Sequence, residues 1–267
     1  MSTGKPDTCW QPLQYQKFSG HRLRPALELL DRVPLESPSV VYDLGCGTGE
    51  ATRIIAERWP TAKVTGLDSS SEMLEKARAG GGSVGWVDAD ISNWRPDEPP
   101  DLIYSNAALQ WVKDHRKLFP RLLGYLNSGG CLAVQLPLSF DSPSLRLMRE
   151  TLESGGEGGR ALGKPALRES VGRRWVEDPA GYYDLLAPRV RALDIWTTEY
   201  LQVLEGDDPV LEWVKATALR PVLKGLEAAE QQRFLEIYRN RLREAYPRRP
   251  DGKTLYPFPR LFIVAML

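Results

Sequence analysis

The run Val40-Val41-Tyr42-Asp43-Leu44-Gly45-Cys46-Gly47-Thr48-Gly49 places an apolar strand, an acid and alternating glycines in immediate succession. Lacking Cβ atoms at Gly45, Gly47 and Gly49, the backbone can take positive φ and approach a ligand closely where it leaves a sheet and enters a helix. This has the form of a nucleotide-cofactor loop. Dinucleotide loops are spaced G-x-G-x-x-G and set a helix N-terminus against a pyrophosphate. Here the spacing is G-x-G-x-G with Asp43 just ahead, and a carboxylate there repels a pyrophosphate but attracts a cation. S-adenosylmethionine, with its ammonium and sulfonium, has the charge this loop favours.

The pattern around the loop predicts an α/β architecture. Residues 25–33 have helical apolar spacing and lead into the first strand, while 50–59 repeat that spacing and stop at Pro60. Strands are expected at 64–68, 84–87, 101–106 and 131–136, with helices at 73–79 and 117–126 between them. Such alternation with short loops predicts a parallel sheet with right-handed crossovers. From 139 to 188 the chain turns helical, broken by Gly155-Gly156 and Gly158-Gly159; 193–200 reads as a sixth strand, 208–246 as a second helical block and 260–267 as a last strand. The helical blocks are placed to fold back over the carboxyl ends of the strands. A chain of 267 residues can bury one substantial core plus a cap, so a single domain over 1–267 is expected. Its cap segments fall at approximately 10–24, 139–188 and 206–256.

Charge and cysteine usage narrow the function classes. Lys+Arg and Asp+Glu are equal at 35 each, which supplies no global basic field to gather nucleic acid. The first nine residues are polar and no apolar run approaches about 18 residues, so a cytoplasmic protein without membrane spans is expected. Cys9, Cys46 and Cys131 are odd in number and widely separated, with only His21 and His115 to join them, which argues against a disulfide framework or a metal site. Cys46 reads as a small residue at a tight turn, because an activated thiol needs positive charge nearby. The basic run Arg239, Arg241, Arg243, Arg248 and Arg249 reads as a solvated helix face.

Candidate cofactor contacts follow the strand ends. Asp68 lies 19 residues beyond Gly49, where a βαβ unit returns beside the first loop, and its carboxylate can accept both ribose hydroxyls, with Ser69 adjacent. The alternative is a strand-end acid capping the next helix, with Ser69-Ser70-Ser71 alongside. Asp90 and the N–H of Ile91 can hold an adenine amino group and ring nitrogen, or Asp90 is a turn aspartate. Asn106 and Trp111 follow the fourth strand, at the crevice where the methionine end of the cofactor and the substrate would meet.

These pieces, in order, resemble the class I S-adenosylmethionine-dependent methyltransferases: Asp43-Leu44-Gly45-Cys46-Gly47-Thr48-Gly49, Gly66-Leu67-Asp68, Asp90-Ile91, Asp101-Leu102-Ile103-Tyr104-Ser105-Asn106-Ala107 and Leu126-Asn127-Ser128-Gly129-Gly130. The resemblance narrows to the trans-aconitate 2-methyltransferase family through Trp10, Tyr15, Phe18, Arg22, Arg24 and Pro25, and through Asn106-Ala107-Ala108-Leu109-Gln110-Trp111 and Leu118-Phe119-Pro120. It continues in Ala133-Val134-Gln135-Leu136-Pro137, Tyr182-Tyr183-Asp184, Asp194-Ile195-Trp196, Glu212-Trp213-Val214, Leu219-Arg220-Pro221 and Pro257-Phe258-Pro259-Arg260-Leu261-Phe262-Ile263-Val264-Ala265. It implies a Rossmann-like seven-stranded sheet of the class I type, the last strand antiparallel, with helical cap insertions. It also implies a methyl ester formed on one carboxylate of trans-aconitate or a related small polycarboxylic acid.

That reaction needs no general base, since a carboxylate is ionised at neutral pH; no catalytic residue is expected beyond those that orient oxygen, methyl and sulfur in line. Recognition of a trianion favours arginine, whose planar fork meets a carboxylate with two parallel bonds. The candidates are Arg22, Arg24, Arg220 and Arg260, with Tyr15, His21, Tyr183, Trp213 and Tyr256 as further lining. A bidentate clamp lowers nucleophilicity, so the arginines are expected on the two carboxylates that do not react. Where the family often carries an acid before Arg22, this chain has Gly20-His21, which would retune preference among polyanions. The competing readings are a methyltransferase for another small metabolite and a non-catalytic protein of the same fold.

Overall fold

In a computed structural model that describes residues 23–215 and 218–267, strands β1 (Val40–Leu44), β2 (Lys63–Asp68), β3 (Gly85–Asp88), β4 (Leu102–Asn106), β5 (Cys131–Pro137), β6 (Ala192–Leu204) and β7 (Thr254–Met266) form one sheet. Their order is β3-β2-β1-β4-β5-β7-β6. β1 runs parallel to β2 on one side, with Asp43 opposite Gly66, and to β4 on the other, with Asp43 opposite Tyr104. β2–β3 and β4–β5 are parallel too. β7 is reversed: Leu267 N–H donates to Gly130 O (3.0 Å) at the start of β5, whereas Leu138 N–H donates to Pro259 O (2.9 Å) just past its end.

Helices α1 (Arg24–Asp31), α2 (Glu50–Arg58), α3 (Ser71–Ala79) and α4 (His115–Leu123) alternate with the parallel strands, except that β3 leads to β4 without a helix. After β5 come α5 (Pro143–Ser154), α6 (Pro165–Gly172) and α7 (Pro179–Leu186); α8 (Pro209–Lys215), α9 (Leu219–Gly225) and α10 (Ala228–Ala245) separate β6 from β7. Several boundaries depart from expectation: β6 runs on to Leu204 rather than 200, α3 begins at Ser71 rather than 73 and α4 ends at Leu123 rather than 126. β7 begins at Thr254, well before 260, because Pro257 and Pro259 lack only the N–H: the Pro259 carbonyl still accepts from Leu138. α4 begins at His115 rather than 117, since the Asp114 carbonyl already accepts from Lys117 and Leu118 N–H (3.0 and 2.9 Å).

The described residues form two compact units. One holds those up to Leu136 together with Trp175–Thr197 and Leu261–Leu267; the other holds Pro137–Arg174 and Thr198–Arg260. In the first, Val41, Leu44, Leu67, Ile103, Leu132 and Val134 of the strands and Leu27, Leu29 and Leu30 of α1 are buried. Buried polar bonds fix positions within it. Ser105 Oγ donates to Leu44 O (2.8 Å), joining the ends of β4 and β1, and Tyr104 Oη donates to Ala26 O (2.6 Å), locking α1 on the sheet. At the opposite end of β4, Asp101 accepts from Ser39 N–H (2.7 Å) and from Asn127 Nδ2 (2.8 Å).

The second unit has its own core of Met148, Leu152, Val214, Leu219, Phe234, Tyr238, Leu242, Tyr246 and Tyr256. Three tyrosine hydroxyls converge on Ser144: Tyr238 Oη donates to its carbonyl (2.8 Å), Tyr246 Oη accepts from its N–H (3.0 Å) and Tyr256 Oη lies 3.2 Å from its Oγ. Burial pushes the Tyr256 phenol up to about 12, so it remains a neutral hydrogen-bonding group.

Tyr104→Phe removes one hydroxyl from the first unit without changing ring volume. The expected cost, read by urea denaturation, is about 1–2 kcal/mol. A midpoint equal to the parent's would mean that the Ala26 carbonyl does not depend on this bond.

Candidate functional site

The chain leaves β1 at Gly45, where φ is +74°, and the N–H groups of Gly45 and Cys46 both donate to Leu67 O (2.8 and 3.0 Å). These bonds join the loop to β2 alongside. A Cβ on Gly45 would lie 2.2 Å from the Ala108 Cβ, and one on Gly49 would lie 2.3 Å from the Trp86 ring. Both positions combine positive φ with an occupied flank, so only glycine serves. Trp86 sits opposite Gly66 in the β2–β3 register, and its ring also covers that glycine. A Cβ on Gly47, by contrast, would meet nothing within 4 Å; this is the open face of the loop.

Gly47 N–H donates to Asp68 Oδ2 (2.9 Å) and Ser70 N–H to Asp68 Oδ1 (2.9 Å). Two backbone donors thus aim the carboxylate while its other lone pairs can accept a ribose diol. The Ser70 hydroxyl caps α3 by accepting from Met73 N–H (3.4 Å), so capping falls to Ser70 and leaves Asp68 to the loop; Ser69 is exposed. Asp43 is only 1 % exposed and lies beneath the loop rather than on its open face. Burial raises its carboxyl to about 7, against the hydrogen bond from Thr52 Oγ1 (2.6 Å) and helped by the charge of Asp68. A cationic ligand over the loop would shift that equilibrium toward the carboxylate. The Cys46 thiol is pushed up by burial and by both acids, which keeps it protonated, as its reading as a turn residue requires.

Asp90, exposed after β3, accepts Ser92 N–H at Oδ1 (2.8 Å), a bond that holds its carboxyl below the usual range. Ile91 is buried, and Arg121 fixes the turn by donating to the carbonyls of Ile91 (2.7 Å) and Ser92 (2.5 Å). At the end of β4, Ala107 takes a left-handed φ of 53° and Gln110 Nε2 donates to its carbonyl (2.7 Å). Asn106 Oδ1 is a buried acceptor without a donor, and Trp111 is 62 % exposed. A glycine cradle, an aimed carboxylate and an orphaned acceptor fit S-adenosylmethionine, which offers a ribose diol and an ammonium with three donors.

The substrate candidates are dispersed. Tyr15, His21 and Arg22 lie outside the described residues. Arg24 is solvent-exposed on α1 and pairs with Glu28 (2.8 Å). Tyr183, on α7, is 59 % exposed. In the second unit Arg220 is exposed on α9, Trp213 and Tyr256 pack edge to face in the aromatic core, and Arg260 is buried with its guanidinium 4.5 Å from the Phe258 ring. Sequence reading passed over Thr52, Trp86, Ala108 and Arg121. Trp86 is legible only once β3 is paired to β2, and Thr52 only once α2 turns back under the loop.

A family model for the methyltransferase domain matches residues 41–130. A trans-aconitate 2-methyltransferase of Pseudomonas aeruginosa is 49 % identical over 258 residues, covering 97 % of this chain and 94 % of that protein. Among solved structures, the YcgJ protein of Bacillus subtilis shares the fold with a TM-score of 0.59 at 16 % identity, over 91 % of this chain and 98 % of that one. Phosphoethanolamine N-methyltransferase 2 of Haemonchus contortus in complex with S-adenosyl-L-methionine aligns over 91 % of this chain with a TM-score of 0.52 at 16 % identity; the chain spans 52 % of its length. Among the described residues no helix is long and apolar enough to cross a membrane, and no cluster of His, Cys, Asp and Glu could hold a metal ion.

Asp43 makes stability depend on pH. With its native carboxyl at about 7 and an unfolded value of about 3.9, the native state binds the extra proton between them. The protonated group's contribution is complete below about pH 4 and is lost as pH rises through about 7, with a slope approaching ~1.4 kcal/mol per pH unit. Asp43→Asn removes that titration, so its melting temperature should vary less than the parent's between pH 4 and 7. Parallel pH profiles for the two proteins would show that Asp43 does not titrate in this window.

Proposed function

The chain belongs to the trans-aconitate 2-methyltransferase family, and from that premise we propose that it esterifies one carboxylate of trans-aconitate, or of a related small polycarboxylic acid, with S-adenosylmethionine as methyl donor. The observation that carries this reading is identity of 44–49 % to such enzymes across nearly the whole chain, the second unit included, whereas the domain model covers 41–130 alone. The cofactor, when bound, supplies a methyl group on a sulfonium, open to attack from the side opposite sulfur.

The chain's own residues do the rest. The Gly45–Gly49 loop brings backbone within reach of the amino-acid end, Asp68 receives the ribose hydroxyls, and Asp90 with Ile91 N–H receives the adenine edge. Asn106 Oδ1 accepts from the ammonium, and Trp111 walls the crevice from water. The acid arrives already ionised, so no side chain must remove a proton, and orientation with exclusion of water supplies the acceleration. Recognition of the two unreactive carboxylates is assigned to the arginines Arg22, Arg24, Arg220 and Arg260, supported by Tyr15, His21, Tyr183, Trp213 and Tyr256. Cations are what a trianion requires, and Arg260 is the buried one among the described candidates. The same reading places the enzyme in the cytoplasm, in keeping with unpaired Cys46 and Cys131, and gives it no nucleic-acid partner, since Arg239 and Arg243 of α10 both close on Asp208.

Incubation with labelled S-adenosylmethionine and trans-aconitate, citrate, itaconate and isopropylmalate-type acids, followed by product mass, should show one methyl added to trans-aconitate. Labelled cofactor bound but no acid methylated would overturn the ester-forming reading. Asp68→Ala, titrated calorimetrically with the cofactor, should lose at least about 1.5–3 kcal/mol of binding, the worth of one hydrogen bond to a charged group. Undiminished affinity would remove Asp68 from the site.

A further inference from the structure

Among the described residues the two non-glycine positions with left-handed backbone are Ala107 (φ 53°) and Asp114 (φ 55°), and they bracket one short stretch of chain. Such a conformation is disfavoured for a residue with a Cβ, more for Ala than for Asp, and strain of this kind gathers where a site requires it. Between them lies a 3-10 turn, Leu109–Trp111, closed by Trp111 N–H to Ala108 O (3.1 Å) and Val112 N–H to Leu109 O (2.9 Å). It stands beside Asn106, the orphaned acceptor, and carries the exposed Trp111.

His115, the first residue of α4 and 1 % exposed, holds this turn from below. The Leu109 carbonyl can only accept, so Nε2 carries the proton and donates to it (2.9 Å). Nδ1 is then an acceptor and takes the Tyr182 hydroxyl at 2.5 Å. Burial lowers the imidazole's affinity for a second proton, against the backbone of Leu109 and Val112 and the weaker pull of Glu177 and Asp114, so the neutral tautomer this pattern needs is favoured. Arg116 engages Glu177 through two bonds (2.9 and 3.1 Å), and Lys117 neutralises Asp114 (2.9 Å).

Tyr182 is buried on α7, its ring 4.9 Å from Phe119 of α4, and the next residue, Tyr183, is 59 % exposed. An aliphatic side chain would fill the space between Phe119 and Tyr182 without desolvating an imidazole. What the imidazole adds is two directed bonds, one to the turn and one to α7.

We propose that His115 is a positioning residue for methyl transfer: through the Leu109 carbonyl and the Tyr182 hydroxyl it fixes the Asn106–Trp111 turn and the Tyr183-bearing helix α7 in one arrangement. The proposal rests on the reading above, which gives Asn106 to the cofactor, the wall of the crevice to Trp111 and the acid to Tyr183. Disturbing such alignment by about an ångström costs up to about a hundredfold in rate.

The test compares the parent with Tyr182→Phe, which loses one hydroxyl, His115→Leu, which loses both bonds, and His115→Gln, which keeps a donor and an acceptor. Hydrogen exchange without substrate should quicken at the Trp111 and Val112 amides in Tyr182→Phe and His115→Leu but not along β5. With trans-aconitate, kcat should fall about tenfold or more in both, with KM moving less, and His115→Gln should recover both readouts. The proposal is overturned by parental kcat in Tyr182→Phe and His115→Leu, by His115→Gln failing as deeply as His115→Leu, or by exchange quickening equally across β5. If His115→Leu does not fold, Tyr182→Phe and His115→Gln decide. If the parent itself methylates no acid, the ester-forming reading fails, and exchange alone decides whether His115 holds the turn.

Discussion

Strand β1 is hydrogen-bonded on both flanks, to β2 and to β4, and every proposed cofactor contact among the described residues stands at the end of one of these strands or of β3 beyond. This is the point where strand order reverses direction, and so where loops diverge and leave a crevice at the carboxyl edge. The pairing does more than create a gap. It sets Leu67 O opposite the Gly45 and Cys46 amides, Asp68 opposite the Gly47 amide and Ser105 beneath Leu44, so the loop's shape is enforced by β2 and β4 rather than by its own sequence.

The electrostatic character of the site follows from that enclosure. Asp43 is sealed beneath the loop, Asp68 is aimed by amides and Asn106 presents an acceptor without a donor. Such a collection of acceptors disfavours a phosphate and favours a ligand that brings positive charge and donors. It also explains why Cys46, in the middle of a functional loop, is chemically quiet: both acids oppose its ionisation. Chemistry by alignment needs no titrating group at the reacting atoms, and the buried histidine of this unit is occupied by two structural bonds.

The second unit is organised by different physics. Its core is aromatic, and the hydroxyls of Tyr238, Tyr246 and Tyr256 all meet one residue, Ser144, whose carbonyl accepts from Tyr238 and whose N–H donates to Tyr246. The basic run at its end is partly internal in purpose: Arg239 and Arg243 converge on Asp208 (3.2 and 2.7 Å), while Arg248 donates to Gly206 O (2.7 Å). Arg243 is still more than half exposed, so the reading as a solvated face holds for its solvent side and misses its ion pair.

The sequence by itself determined the alternation of strands and helices through β5, the glycine loop and the carboxylates at the strand ends, because periodicity, glycine and strand-end acids are local signals. The resemblance in the N-terminal segment, in Asn106–Trp111 and Leu118–Pro120 and in the segments from β5 onward determined the family. Tertiary structure decided the rest, for reasons no local pattern holds. The β7 boundary depended on a proline carbonyl finding Leu138, Trp86 acquired meaning only opposite Gly66, and His115 became a link only when α7 brought Tyr182 to it. Asp43 is the clearest case: its place before the glycines is a matter of sequence, but burial and the Thr52 hydroxyl, which only folding supplies, decide whether it carries a charge at neutral pH.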